Sequence, residues 1–357
     1  MQRLILLLLM STALSPESNP NGGENIIFNR INYIYKLKQV INDSIWKGFT
    51  DKQYDLPLIY YTDSACYVAN PTGRFISIYK PRLLFKTKRL KVYKTELLDS
   101  IPFHMATSMT LGDKTSAYNY KSPFMNCSSL EITRKVVPDV HSTELWATML
   151  LHEYFHGFQF KHSRYFNYFT RQNELVVSED SLAKIYKKYA WFKEDVDKEN
   201  ELLLSALSAT NGKEIQKILN AFLTVRERRR QQAKQELRFD LKSIEQTYEM
   251  MEGTARYVEY QLYNQFAKKN SDQNLAKVDS SYHAYQQFKN YTIDRDPWLY
   301  QSQKTVYFYA TGFNLVRLFD KLQIDYRDRL FREGGLSLEQ LLIQAMAKKH
   351  GFIASDS

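Results

Sequence analysis

Cysteine, proline and glycine are all scarce in this chain, with 2 Cys, 9 Pro and 12 Gly among 357 residues. So few cysteines exclude a disulfide-stapled scaffold and a cysteine-rich metal cluster. The shortage of Gly and Pro excludes collagen-like and turn-dense β-sandwich folds and favours long regular elements. Past the first residues, no apolar run is long enough to span a bilayer. No internal repeat or low-complexity tract interrupts the chain. Aromatic residues, by contrast, are abundant: 26 Tyr and 21 Phe, and 14% aromatic in all. That is far too many for a disordered polymer. A chain of 357 residues can bury a sizeable core, as one large or two interlocked domains.

The two cysteines, Cys66 and Cys127, leave two readings. They pair, closing a loop of 127 − 66 = 61 residues worth about 4 kcal/mol in the chain-entropy model, or they stay as buried thiols. The net charge of +10 invites a nucleic-acid reading. Much of the excess sits in runs such as Arg226-Glu227-Arg228-Arg229-Arg230, which read as the solvated face of a charged helix. No zinc-finger, homeodomain or RNA-recognition signature accompanies the charge, so nucleic acid is not an expected partner.

The first residues have the pattern of a secretion signal. Arg3 precedes the apolar run Leu4–Met10, and Ser11, Thr12, Ala13 and Ser15 offer small residues for cleavage. This predicts a signal peptide over 1–15 and a mature chain starting between Pro16 and Glu24, secreted or periplasmic, with no stable membrane anchor.

Residues 28–49 place Ile31, Ile34, Leu37, Ile41 and Ile45 at helical spacing. Between Leu56 and Arg134, short runs such as Leu58–Tyr61 and Phe75–Tyr79 alternate with turn residues such as Asn70-Pro71-Thr72-Gly73, which predicts a sheet. Ser142 or Thr143 can cap the helix that follows. Residues 181–209 and 213–266 read as two long helices broken near Asn211-Gly212, and residues 305–322 and 336–348 as two more. The expectation is an α+β fold: a helix and a mixed, β-rich part over 24–135, then a mainly helical part over 136–357 with a helical hairpin insertion at about 171–247.

The chemistry concentrates at His152-Glu153-Tyr154-Phe155-His156, an H-E-x-x-H string. On a helix, residues four apart sit one turn above each other, so both imidazoles aim at one point where a zinc ion can bind. Glu153 is offset and free to deprotonate a water. Leu145, Met149, Leu150 and Leu151 mark the helix as buried, where unpaired imidazoles and a carboxylate are costly without a metal.

A catalytic zinc needs a third protein ligand and one open position. His162 stands six residues after His156, but Gln159 occupies the place where the sharp glycine bend of metzincins would fall. Glu252 borders the core face of a helix carrying Met251, Ala255, Val258, Leu262 and Phe266. Gly253, Thr254 and Ala255 are small enough to let that helix approach the motif helix. Glu252 either completes the metal site or pairs with Arg256 one turn on.

Together, H-E-x-x-H and the segment Glu252-Gly253-Thr254-Ala255 resemble the gluzincins, zinc peptidases whose third ligand is a glutamate on a following helix. The resemblance covers residues 139–320. It implies a zincin-like catalytic half with His152, His156 and Glu252 as zinc ligands and Glu153 as the base. It also implies that Tyr309, in Tyr309-Ala310-Thr311-Gly312, stabilises the oxyanion. The gap of 252 − 156 = 96 positions is long for the family and requires a hairpin that loops out and returns. Arg256 replaces an acid that would orient a histidine, which passes that role to Glu249 or Glu259. The segment Phe124-Met125-Asn126-Cys127 lacks the glutamate of an aminopeptidase signature, and a strand within Lys121–Ile132 is the expected edge for a peptide substrate. The sequence thus reads as a secreted zinc metallopeptidase acting on peptides or proteins. A silent zinc-binding scaffold and a basic helical interaction protein are the alternatives.

Overall fold

In the computed structural model, residues 22–96, 102–108, 123–174, 179–302 and 306–347 are described. The candidate signal peptide lies outside them. Ile31, Ile34, Leu37 and Ile41 lie on helix α1, Gly22–Ser44, which ends just before Ile45 and short of the expected Phe49. Strands β1 (Leu58–Tyr61) and β2 (Cys66–Ala69) follow, then helix α2 (Gly73–Tyr79) and strands β3 (Arg82–Lys86), β4 (Lys91–Thr95), β5 (Met105–Ser108) and β6 (Phe124–Ser128). They make one mixed sheet in the order β3-β4-β2-β1-β6-β5, with β1 and β6 parallel and the other pairs antiparallel.

Helices account for the rest of the regular structure: α3 (Leu130–Val136), α4 (Thr143–Phe160), α5 (Ser163–Glu174), α6 (Glu179–Lys188), α7 (Ala190–Ser208), α8 (Gly212–Glu236) and α9 (Lys242–Lys268). After them come α10 (Gln273–Val278), α11 (Pro297–Tyr300), α12 (Tyr307–Lys321), α13 (Arg327–Leu330) and α14 (Leu338–Ala347). The fold class is α+β, as the sequence indicates. The main hydrophobic cluster runs from Phe28 on α1 to Leu342 on α14. A second one, with Leu182, Phe192, Ala233, Leu241 and Phe308, lies beneath α6–α8. No helix among the described residues is long and apolar enough to cross a membrane.

Several expectations need correction. Phe75–Tyr79 is helix α2, not a strand: the Thr72 hydroxyl accepts the Phe75 amide at 3.1 Å, and this cap outweighs the aromatic, β-branched composition. The expected helix over 181–209 is α6 plus α7, parted at Tyr189, and that over 213–266 is α8 plus α9, parted where Arg238 adopts a left-handed φ of 62°. The substrate edge is not β6, which is sandwiched between β1 and β5.

The arginine run is not a solvated face either. Arg226, Arg229 and Arg230 are buried, and only Arg228 points outward, to pair with Asp195. Their guanidiniums meet Glu199, Glu245, Glu249 and Glu339, which supply the compensation that buried charge requires.

Cys66 and Cys127 are buried free thiols. They lie on β2 and β6, the two strands flanking β1, opposite Tyr61 and Tyr60. Two strand spacings amount to about 9–10 Å, beyond the roughly 7 Å Cα separation that a disulfide can bridge.

Candidate metal centre

Helix α4 begins where the Ser142 hydroxyl accepts the Leu145 amide at 3.2 Å. Nearly every face of the helix is buried, and it is pressed onto the outer strand β5. The Thr107 hydroxyl of β5 donates to the Glu153 carbonyl at 2.5 Å. Gly157, directly after the motif, allows this approach: a Cβ there would stand 2.4 Å from the Leu56 side chain and 3.2 Å from that of Thr107.

One turn apart on α4, the His152 and His156 rings lie nearly perpendicular with centroids separated by 4.7 Å. Helix α9 crosses α4 and places Glu252 between them. Its Oε2 is 3.1 Å from His152 Nε2 and 3.4 Å from His156 Nε2. One donor atom from each of the three residues lies within 4.8 Å of the others, and all three side chains are buried.

The far side of each imidazole is also occupied. Glu259, two turns beyond Glu252 on α9, accepts from His152 Nδ1. Gln159 Oε1 accepts from His156 Nδ1 at 2.9 Å. The Gln159 amide in turn donates to the Met251 carbonyl at 2.9 Å and to Thr254 Oγ1 at 2.7 Å, which ties α4 to α9. With Nδ1 engaged, both rings present Nε2 to the common point.

Burial opposes charge on these rings, yet Glu259 and Glu252 raise His152 well above the usual imidazole range. Glu252 raises His156 by the same means. Burial would lift Glu252, but the two imidazoles hold its carboxyl far below the ordinary range. Glu153 differs. Burial pushes its carboxyl up; the imidazoles oppose the shift while Glu252 and Glu259 add to it. Without a metal the two rings hold protons against the Glu252 carboxylate; a cation bound there would displace those protons and take the imidazoles as neutral donors. Two imidazoles and one carboxylate converging on a single point suit catalytic zinc.

Tyr309, at the start of α12, lies almost parallel to His152 at a centroid separation of 6.5 Å. The Arg256 guanidinium sits 4.6 Å over the Tyr309 ring. Glu252 therefore pairs with the histidines and not with Arg256. His162 is apart from the trio: it stacks on Tyr54 at 4.3 Å and donates from Nδ1 to the Phe158 carbonyl at 2.9 Å.

Of the two carboxylates offered as orienters, Glu259 reaches a histidine, while Glu249 is engaged by Arg226. Gln159 was missed. Its spacing, three residues after His156 on one helix face, was the signal that could have found it. Gly253 faces Gly312 of α12 and not the motif helix; Thr254 makes the contact with α4. Compared with protein-family models, curated proteins and solved structures, the chain matches none.

Proposed function

We propose that this chain is a zinc metallopeptidase of gluzincin type that hydrolyses peptide bonds outside the cytosol. The observation that carries the reading is the convergence of His152, His156 and Glu252, three buried side chains from two helices, next to the raised carboxyl of Glu153. His152, His156 and Glu252 would hold the ion. A zinc ion bound there supplies Lewis acidity and lowers the pKa of a coordinated water to about 7.

The remaining steps belong to the chain's own residues. Glu153 accepts the proton of the attacking water and delivers it to the departing amine nitrogen, a shuttle suited to a carboxyl raised by burial. Glu259 and Gln159 keep both imidazoles aimed during that transfer. Tyr309 donates a hydrogen bond to the developing oxyanion, a contribution of about 3 kcal/mol in comparable sites. Strand β5 is one of the two edges of the sheet, β3 being the other, and it is the edge that packs on α4, so a substrate backbone would pair there. The extracytoplasmic location rests on Arg3 and the apolar run Leu4–Met10.

The test combines metal analysis with turnover. One zinc per chain and chelator-sensitive cleavage of casein, abolished in Glu153→Gln with zinc retained, are the expected results. Full cleavage by Glu153→Gln, or a purified chain that takes up no stoichiometric zinc, ends the proposal.

A further inference from the structure

Among the buried arginines, Arg256 differs from the others. Arg30, Arg226, Arg229 and Arg230 each form an ion pair with a buried carboxylate. Arg256 is also buried, yet its hydrogen bonds go only to backbone, from Nη1 to the Trp298 carbonyl at 3.0 Å and the Leu299 carbonyl at 3.3 Å. Its Nε is buried with no partner. A buried guanidinium without an anion is destabilising by several kcal/mol. Burial accordingly depresses its pKa, against the pull of Glu259, Tyr309 and Glu252. No ion pair among the described residues gives a reason for this cation here.

Its setting gives one. Arg256 follows Glu252 by one turn on α9 and precedes Glu259 by one turn, so it shares the face that builds the metal centre. Its guanidinium lies 4.9 Å from the Trp298 ring and 4.6 Å from the Tyr309 ring, and the two carbonyls fix one of its nitrogens. Trp298 is 37% exposed, so this aromatic platform reaches solvent at the rim of the site. A guanidinium held in this way is a pre-oriented donor for a planar anion, with little further entropy to lose on binding. The planar anion that a peptide carries is a carboxylate.

We propose that Arg256 is the specificity-determining residue of this site and binds a carboxylate of the peptide substrate, on the Trp298 and Tyr309 platform beside the metal centre. The carboxylate comes from the chain terminus or from an acidic side chain. The proposal rests on the peptidase reading for its substrate class, but it is testable without turnover. If Arg256 served only to balance the charge of Glu252 and Glu259, lysine would do equally well and peptide acids would have no advantage over amides.

The experiment uses zinc-loaded protein carrying Glu153→Gln, titrated calorimetrically with N-acetylated pentapeptides in matched pairs. One pair differs only in a free or amidated C-terminus. The other is amidated and carries Glu or Gln at the central position. The expected result is at least tenfold tighter binding of the carboxylate member in one pair, and the pair that responds identifies the source. Adding Arg256→Met should abolish the preference, and Arg256→Lys should reduce it with folding and zinc content intact. Equal binding within both pairs, a preference that survives Arg256→Met, or no binding of any peptide overturns the proposal. Carboxylate-selective binding by a chain that cleaves nothing would instead overturn the peptidase reading and leave the Arg256 assignment standing.

Discussion

Replacing Gly312 with alanine is expected to push α12 away from α9 and weaken metal binding. A Cβ at position 312 would stand 2.2 Å from the Glu249 carbonyl oxygen and 2.8 Å from its carbon. The contact is reciprocal, since a Cβ on Gly253 would meet the Gly312 carbonyl carbon at 2.4 Å and its Cα at 2.5 Å. Real Cβ contacts do not fall below 3.0 Å, so one backbone must retreat by at least 3.0 − 2.2 = 0.8 Å. Both partners are helix backbone and cannot rotate aside. Alanine regains about 1 kcal/mol of helix propensity over glycine. Overpacking of this kind costs about 1–3 kcal/mol, and more when backbone must move. The net is a destabilisation of about 1–2 kcal/mol, or a melting temperature lower by roughly 2–6 °C. The effect on the site is larger. Glu249 lies one turn before Glu252, and Tyr309 one turn before Gly312. A shift of 0.8 Å at that contact exceeds the roughly 0.5 Å within which a metal site holds its geometry. The assay pairs thermal unfolding with zinc competition against a chelating dye, with Gly23→Ala as control because nothing stands within 4 Å of a Cβ there. A Gly312→Ala protein that melts no lower than the parent and holds zinc as tightly would refute the reasoning.

Three further outcomes follow from named contacts. Glu259→Gln removes the carboxylate on His152 Nδ1 and should weaken zinc binding by about 10–100-fold with little change in secondary structure; unaltered affinity would show that Glu259 does not orient the ring. Arg229→Met leaves Glu199 and Glu245 short of a buried partner, and urea denaturation should register a loss of about 3–5 kcal/mol; a loss below 1 kcal/mol contradicts the network. Glu249 is raised by burial from 4.5 to about 7, in a cluster where three guanidiniums face four carboxylates. The folded chain therefore binds this proton more tightly than the unfolded chain does, and the stability it contributes declines as pH rises from 4.5 through 7. Glu249→Gln should flatten that decline in melts compared at pH 5 and pH 8, and a steeper decline in the variant would reverse the sign.

What the sequence made legible was local. The isoleucine spacing placed α1, Ser142 marked the start of α4, and the four-residue spacing of His152 and His156 aimed their rings at one point. That Glu252 meets the two histidines was legible from its place at the border of the apolar face of α9. Failures came where distant residues decide. The break between α8 and α9 contains no Gly or Pro, and Arg238 takes its left-handed φ without any sequence mark. Phe75–Tyr79 has the composition of a strand, and the Thr72 that caps it as a helix lies in a segment that reads only as a turn. The run at Arg226–Arg230 looked solvated because its acidic partners lie as far off as Glu199 and Glu339. Gln159 was dismissed for what it is not, a glycine, when its amide bridges two helices and its carbonyl holds His156.

The misread arginines and the long gap before Glu252 turn out to be one problem. A chain that leaves the motif helix and returns 252 − 156 = 96 positions later must bring its third donor back in register. Apolar packing alone tolerates sliding along a helix, because one methyl group is much like the next. Bidentate ion pairs do not slide. Arg226 grips Glu249, one turn before Glu252, through Nη1 at 3.1 Å and Nη2 at 2.5 Å. Arg229 grips Glu245 one turn earlier through Nη1 at 2.6 Å and Nη2 at 3.1 Å. Tyr307 donates to the same Glu245 at 2.5 Å and draws in the start of α12, two residues before Tyr309. The burial of these charges, unfavourable if any partner is missing, fixes the axial position of α9 against both α8 and α12. The excursion through α6, α7 and α8 is therefore part of the frame of the candidate metal site: α8 carries the guanidiniums that set the returning helix at the turn where Glu252 meets the two histidines.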